Sequence, residues 1–316
     1  CGQSHTRCAA LSEGSPSRGG RRSLTMIGSN PATSGFLDRL RSSGPMIAVE
    51  LRPPRSGLAP GGAMDIWIDL GHAARILIRQ DTFVLLTDGA VGDSEEENLR
   101  HLAANLAGEE EASRLVPFLT CKHSLQYCRL FAERAHRHAV ETLTVVGGDP
   151  SDGAPRCVPH AYVLRQEIRS RIPGLVLGGW VNLHRDPEVQ ADYLADPGCS
   201  ADYVLTQVVS HHDAQKVDAW LEETARRDLD VPTAYGVFYY RNGRRDMLEN
   251  LARYFTVPVG EIGREFEEGA MPAEVCARSI FALRLAGIEN VYICNLGSRN
   301  AAHRLSLVSR ALDALG

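Results

Sequence analysis

The strongest constraint in this sequence is a rhythm. From Met46 onward, eight short apolar or β-branched runs alternate with longer segments whose apolar residues recur at helical spacing. The runs are 46–51 (MIAVEL), 82–87 (TFVLLT), 115–120 (LVPFLT), 142–146 (TLTVV), 175–179 (LVLGG), 202–207 (DYVLTQ), 232–238 (PTAYGVF) and 290–294 (NVYIC). Helical segments lie near 62–79, 94–106, 124–138, 158–171, 188–195, 212–228, 271–286 and 299–314, with extra helical material at 243–267. Strands that are apolar on both faces and each followed by a helix pair in parallel, because right-handed crossovers cover both sides of the sheet. Eight such units predict an α/β chain closed into a single (β/α)8 barrel, a TIM barrel, over residues 45–316. An open doubly wound sheet is the competing architecture. It would carry GxGxxG after the first strand, where this chain has Arg52-Pro53-Pro54-Arg55.

Length would allow two domains of roughly 150 residues, but no Pro/Ser/Gly linker interrupts the rhythm, which argues for one. Hydrophobic residues make up 44% and charged residues 23%, which excludes a disordered or collagen-like chain. With 34 basic and 39 acidic residues the net charge is -5, so neither nucleic acid nor an anionic membrane is an expected partner. Residues 1–25 hold four arginines and a single acid, Glu13, and are read as a disordered or artefactual tail; 26–44 is read as a lead-in helix. The eight cysteines are dispersed without a CxxC, which fits a reducing, cytoplasmic setting. The most membrane-like stretch, Ile66 to Ile78, is broken by Asp69, His72 and Arg75. No HxxxH or HExxH occurs; His136 and His138 face different ways on a helix and His211-His212 open another, so no metal site is expected. A homo-oligomer is expected.

Barrels of this kind gather their sites at the carboxyl ends of the strands. The polar and aromatic residues there are Glu50, Thr87 with Asp88, Thr120 with Cys121, Gly147-Gly148-Asp149, Trp180 to His184, Gln207, Phe238 and Asn295. A carboxyl group among apolar neighbours keeps its proton more readily, so Glu50 suits a general acid near neutral pH, or else pairs with Arg52. Gly148 lets backbone approach a flat ligand and Asp149 offers an anion to a cationic intermediate, although Gly-Asp-Pro is also an ordinary turn. Thr87 and Gln207 are neutral hydrogen-bonding groups; Gln207 donates and accepts at once, which suits a pterin edge or simply satisfies backbone. Trp180 suits an aromatic wall and His184 a donor to phosphate or ribose, with structural roles as the alternative. Phe238 either stacks on a ligand or belongs to the core.

In order, these strand ends resemble the methylenetetrahydrofolate reductase family, whose catalytic domain is a flavin-binding (β/α)8 barrel. Val49-Glu50-Leu51-Arg52-Pro53-Pro54 matches F-E-F-x-P-P, Leu86-Thr87-Asp88-Gly89-Ala90 matches V-T-x-G-A, and Pro117-Phe118-Leu119-Thr120-Cys121 matches P-H-L-T-C. Gly147-Gly148-Asp149-Pro150 stands for R-G-D-x-P, Gly179 to His184 for A-Y-P-E-x-H, and Ala201 to Gln207 for A-D-x-x-I-T-Q. The resemblance implies reduction of 5,10-methylenetetrahydrofolate to 5-methyltetrahydrofolate in one-carbon metabolism serving methionine biosynthesis, with NAD(P)H reducing a bound FAD. It makes Glu50 the acid that protonates folate N10, and Asp149 the anion that stabilises the resulting 5-iminium cation. Gln207 then binds the pterin, with Phe238 and Arg299 completing the folate contacts. Thr87, Gly148, Asp149, Trp180, His184 and Asp192 fall in the flavin-binding positions. The chain departs from the family at Gly147, Phe118, Trp180 and Asn182, and the Lys/Arg cluster that helps the family hold FAD is replaced by the cation-free stretch Gln190 to Gly198. A flavin-free relative with direct hydride transfer from NAD(P)H, and a non-catalytic folate- or methyl-carrier-binding barrel working with a partner, are the alternatives.

Overall fold

The eight strands close on themselves. A computed structural model of the chain describes residues 32, 34–89, 109–148 and 155–316. In it β1 (Met46–Leu51), β2 (Val84–Leu86), β3 (Leu115–Thr120), β4 (Thr142–Val146), β5 (Val176–Val181), β6 (Tyr203–Thr206), β7 (Thr233–Phe238) and β8 (Asn290–Cys294) form a barrel in sequential order. Every neighbouring pair is parallel, and closure is made where Met46 to Val49 pair with Asn290 to Ile293. The described helices are α1 (Gly35–Arg41), α2 (Pro60–Arg79), α3 (Glu109–Ser113), α4 (Leu125–Arg137), α5 (Ala161–Arg171) and α6 (Pro187–Ala195). They continue as α7 (Ala214–Arg226), α8 (Arg245–Leu251), α9 (Val259–Glu267), α10 (Pro272–Leu285) and α11 (Ala301–Asp313). None is long and apolar enough to cross a membrane.

The expected barrel is therefore the observed fold. One boundary matters for the site: β5 runs on to Val181, so Trp180 lies within the strand and not in the loop after it. The extra material expected at 243–267 forms α8 and α9 between β7 and α10. The helix expected at 94–106, the tail at 1–25 and the start of the lead-in segment lie outside the described residues.

Successive side chains of a strand point to opposite faces, so parity sorts them. Val49 and Leu51 of β1 pack outward with Leu70, Ala74 and Leu77 of α2. Met46 and Ala48 pack inward with Leu85, Val116, Leu205, Ala234 and Tyr292. Two glycines make the interior possible. A Cβ on Gly178 would lie 2.2 Å from the ring of Tyr203, its register partner on β6, and one on Gly236 would lie 2.7 Å from the hydroxyl of Tyr292, its partner on β8. Both phenols find partners inside: Tyr203 with Thr144 Oγ1 at 2.7 Å, and Tyr292 donating to the Thr206 carbonyl at 2.5 Å.

The amino-terminal end of the barrel is plugged by α1. Ser34 caps this helix by accepting from the Leu37 amide at 3.1 Å and is itself held by the Thr142 hydroxyl at 2.8 Å. Phe36 of α1 then meets the rings of Phe83 and Tyr203 edge-on, each at 5.1 Å. Apolar side chains thus fill that end of the barrel.

Candidate active site

Inward parity carried to the last residue of each strand brings Glu50, Thr120, Trp180, Phe238 and Cys294 to the mouth, with Gln207 one step beyond β6. Sequence reading singled out Glu50, Trp180, Gln207 and Phe238, and each lies at or just beyond the carboxyl end of its strand. Cys294 was passed over. Its thiol donates to Glu50 Oε2 at 3.3 Å, across the seam where β8 pairs with β1. Burial, and then the charge of Glu50, push the Cys294 thiol well above its usual range, so it stays protonated and is the donor of this pair. Glu50 is half-buried, with one side toward the mouth. Thr87 is 1% exposed, and its amide donates to the Leu51 carbonyl at 3.2 Å, tying the exit of β2 to the residue beside Glu50.

An apolar wall faces these polar groups. The rings of Phe118 and Trp180 meet in a T-shape at 6.2 Å, and Phe238 packs against Phe255 and Tyr240, each at 5.0 Å. Phe118 stands where the family pattern has histidine, so this wall is more apolar than the pattern implied. The backbone amide of Gln207 donates to the Val181 carbonyl at 2.8 Å, and its side-chain Oε1 accepts from the Val208 amide at 3.0 Å. Among the described residues nothing accepts from its Nε2.

Other expected ligand contacts sit elsewhere. His184 is a tether for the segment after Gln207. Its Nε2 donates to the Val208 carbonyl at 2.8 Å and its Nδ1 accepts from Lys216 Nζ at 2.9 Å, with the ring 5% exposed, so neither nitrogen is left for a phosphate or ribose. Asp192 projects from α6, 68% exposed, and pairs with Arg227 at the end of α7. Arg299 follows β8 but turns sideways to Asp69 of α2 at 3.0 Å. Asp149 lies outside the described residues.

Gly148 and Gly147 have a role that the strand-end reading gave them only in part. Gly148 has φ +80, and a Cβ there would run into the side chain of Lys122 at 2.7 Å; one on Gly147 would come 3.1 Å from the Arg156 guanidinium. Arg156 Nη2 donates to the Gly148 carbonyl at 3.0 Å. Two cations therefore lie across the exit of β4 because two side chains are missing there. The available sequence signal was Lys122, directly after the strand end Thr120-Cys121. Asp88 stitches the neighbouring exits, accepting from the Thr120 amide at 2.7 Å and from His123 Nε2 at 2.9 Å.

A flavin dinucleotide would bring a pyrophosphate that needs charge-assisted donors, each worth roughly 1.5–3 kcal/mol. Residues 187–198, which include α6, contain no Lys or Arg, Asp192 turns outward and His184 is already spent. Of the residues that the resemblance assigns to FAD, His184 and Asp192 therefore offer a pyrophosphate no donor.

No family model and no curated protein matches this chain. Among solved structures it is similar in fold to an uncharacterised protein from Clostridium thermocellum that binds two copies of 5-methyl-5,6,7,8-tetrahydrofolic acid. That likeness has a TM-score of 0.60 at 12% identity and covers 86% of this chain and 96% of that one. An F420-dependent secondary alcohol dehydrogenase is matched at TM-score 0.47 and 11% identity over 84% of this chain and 99% of that one. An aldo-keto reductase from Bacillus halodurans is matched at TM-score 0.47 and 13% identity over 86% and 90%. The first of these likenesses agrees with the (β/α)8 barrel described above.

Proposed function

We propose that the barrel mouth binds a tetrahydrofolate derivative and reduces the 5,10-methylene bridge to a 5-methyl group, with NAD(P)H as the source of hydride. The observation that carries this reading is the half-buried Glu50 carboxyl group beside the buried Cys294 thiol at the end of β1; Gln207, just beyond β6, adds a side-chain amide whose oxygen is held by the Val208 amide. Glu50 delivers a proton to N10 of the folate as the bond from N10 to the bridging carbon breaks. The cation left on N5 and that carbon is discharged by hydride, which forms the methyl group. Gln207 donates to the pterin edge, and Phe118, Trp180 and Phe238 provide the apolar surface that flat rings need. The folate-binding barrel of the same fold supports the choice of ligand class.

In the family that this chain resembles, hydride passes through FAD. The cation-free segment 187–198 favours a second version, in which NAD(P)H passes hydride to the folate directly. Titrating the purified full-length chain with FAD while recording visible spectra separates the two: direct transfer expects no perturbed flavin spectrum and NAD(P)H oxidation dependent on methylenetetrahydrofolate. Absence of any binding of methylene- or methyltetrahydrofolate by calorimetry overturns both. Binding without turnover, unchanged by Glu50→Gln, would leave a folate carrier working with a partner.

A further inference from the structure

Away from the mouth lining, three side chains converge that sequence spacing could not connect. His211 and His212 form a short 3-10 turn ahead of α7, and Glu265 comes from α9, 53 residues beyond His212. Their ligand atoms all lie within 4.8 Å of one another. His211 Nε2 is 2.9 Å and His212 Nε2 2.8 Å from the same oxygen, Glu265 Oε1, and the two rings lie 4.0 Å apart.

The surroundings of His211 hold its ring in place. Ser279, 2% exposed, lies 3.0 Å from His211 Nδ1 and 3.3 Å from the Val275 carbonyl, so a buried hydroxyl fixes the imidazole on the side away from Glu265. Both ring Nε2 atoms are thereby directed at one carboxylate oxygen, which is the convergence that a shared cation uses.

We propose that His211, His212 and Glu265 bind a divalent cation of the zinc class, with a fourth position open to water. Two imidazoles and one carboxylate form a borderline donor set that suits Zn²⁺ and disfavours the hard ions Ca²⁺ and Mg²⁺. Donors at about 2.0–2.1 Å from a tetrahedral zinc lie about 3.3 Å apart, so the two contacts to Glu265 open by about half an ångström while the two ring nitrogens, within 4.8 Å of each other, settle to the same spacing. The outer contacts are those a metal site uses. Ser279 orients His211, and Arg278 Nη1 binds Glu265 Oε2 at 2.5 Å, which turns Oε1 alone toward the imidazoles. His212, the more exposed ring, leaves the approach open. The ion would clip the segment after β6, which carries Gln207, to α9. The proposal shares no residue with the mouth and stands whether or not the folate reading does.

The test uses the full-length chain stripped of metal, titrated with Co²⁺ by absorbance and then with Zn²⁺ in competition with a chromophoric chelator. One equivalent of Co²⁺ giving the intense visible bands of a four-coordinate ion, displaced by one equivalent of Zn²⁺, is expected. His212→Ala and Glu265→Gln should each weaken Zn²⁺ binding by more than the roughly 10–100-fold that loss of an outer-shell partner costs. His138→Ala, an exposed residue that closes α4, should bind as the wild type does. His212→Ala removes an exposed ring, so it remains informative if the Glu265 variant fails to fold, which circular dichroism reports. No cobalt bands, or bands retained in full by His212→Ala, would overturn the assignment. The second result would place the ion on other groups, such as Cys1, His5 and Cys8.

Discussion

The Cys294 thiol donates to Glu50 Oε2 at 3.3 Å, joining residues 244 positions apart across the seam that closes the barrel. This contact gives the proposed acid a fixed neighbour that carries no charge. Burial, and then the charge of the carboxylate, keep the thiol protonated, so it serves only as a donor to Glu50.

Glu50→Gln keeps the shape of the side chain and removes its proton. We expect kcat for methylenetetrahydrofolate reduction to fall by about 10²-fold or more, while the Kd for 5-methyltetrahydrofolate changes by less than roughly threefold. Steady-state kinetics alongside calorimetry reads both, and equal losses in the two would assign Glu50 to binding.

Gln207→Leu removes the side-chain N–H donors and leaves the Val208 amide without its acceptor. Folate affinity should drop about tenfold or more, because buried polar edges of the ligand lose their partners. An unchanged Kd would move the pterin away from β6.

The thiols provide a chemical test of burial. Burial, with Cys157 next, pushes Cys121 up to about 11, and burial pushes Cys276 and Cys294 up as well. Iodoacetamide at pH 8 should therefore leave all three unlabelled in the native protein, as read by mass spectrometry. Because the charge of Glu50 is one cause of the Cys294 shift, Glu50→Gln should bring that thiol down and speed its labelling at alkaline pH.

The interior glycines have no spare room. Gly178→Ala would drive a Cβ to 2.2 Å from the Tyr203 ring, where neither strand can retreat without breaking the barrel ladder. A loss of about 1–3 kcal/mol is expected, lowering Tm by several degrees. Gly174→Ala, which meets nothing within 4 Å, is the control.

Acid stability has a local contributor. Hydrogen bonds from Arg226, and then Arg227 against the effect of burial, bring Glu223 from 4.5 down to about 2. A carboxyl group depressed in the folded state adds stability above its unfolded value and loses it as pH falls through its folded value. Glu223→Gln should thus be less stable than wild type at neutral pH, with the two urea midpoints converging between about pH 4.5 and 2. A constant gap across that range would refute the pairing.

The barrel was legible because its cause is local. Eight apolar runs with helices between them leave few ways to cover both faces of a parallel sheet. The strand-end positions of Glu50, Trp180, Gln207 and Phe238 were legible for the same reason, since each follows the inward-facing row of its own strand.

What the sequence could not decide was where the side chains of loops and helices go once the barrel closes. His184, Asp192 and Arg299 each occupied a plausible position in the order of motifs, yet tertiary neighbours claimed them: Lys216 and the Val208 carbonyl, Arg227, and Asp69. Conversely, Cys294 beside Glu50 and Glu265 beside His211 and His212 are meetings between distant segments, which no spacing rule encodes. Periodicity determines which residues face the core, because it is a property of one strand or helix. Partnership between charged and polar groups depends on distances set by the whole fold, and only the tertiary structure determines those.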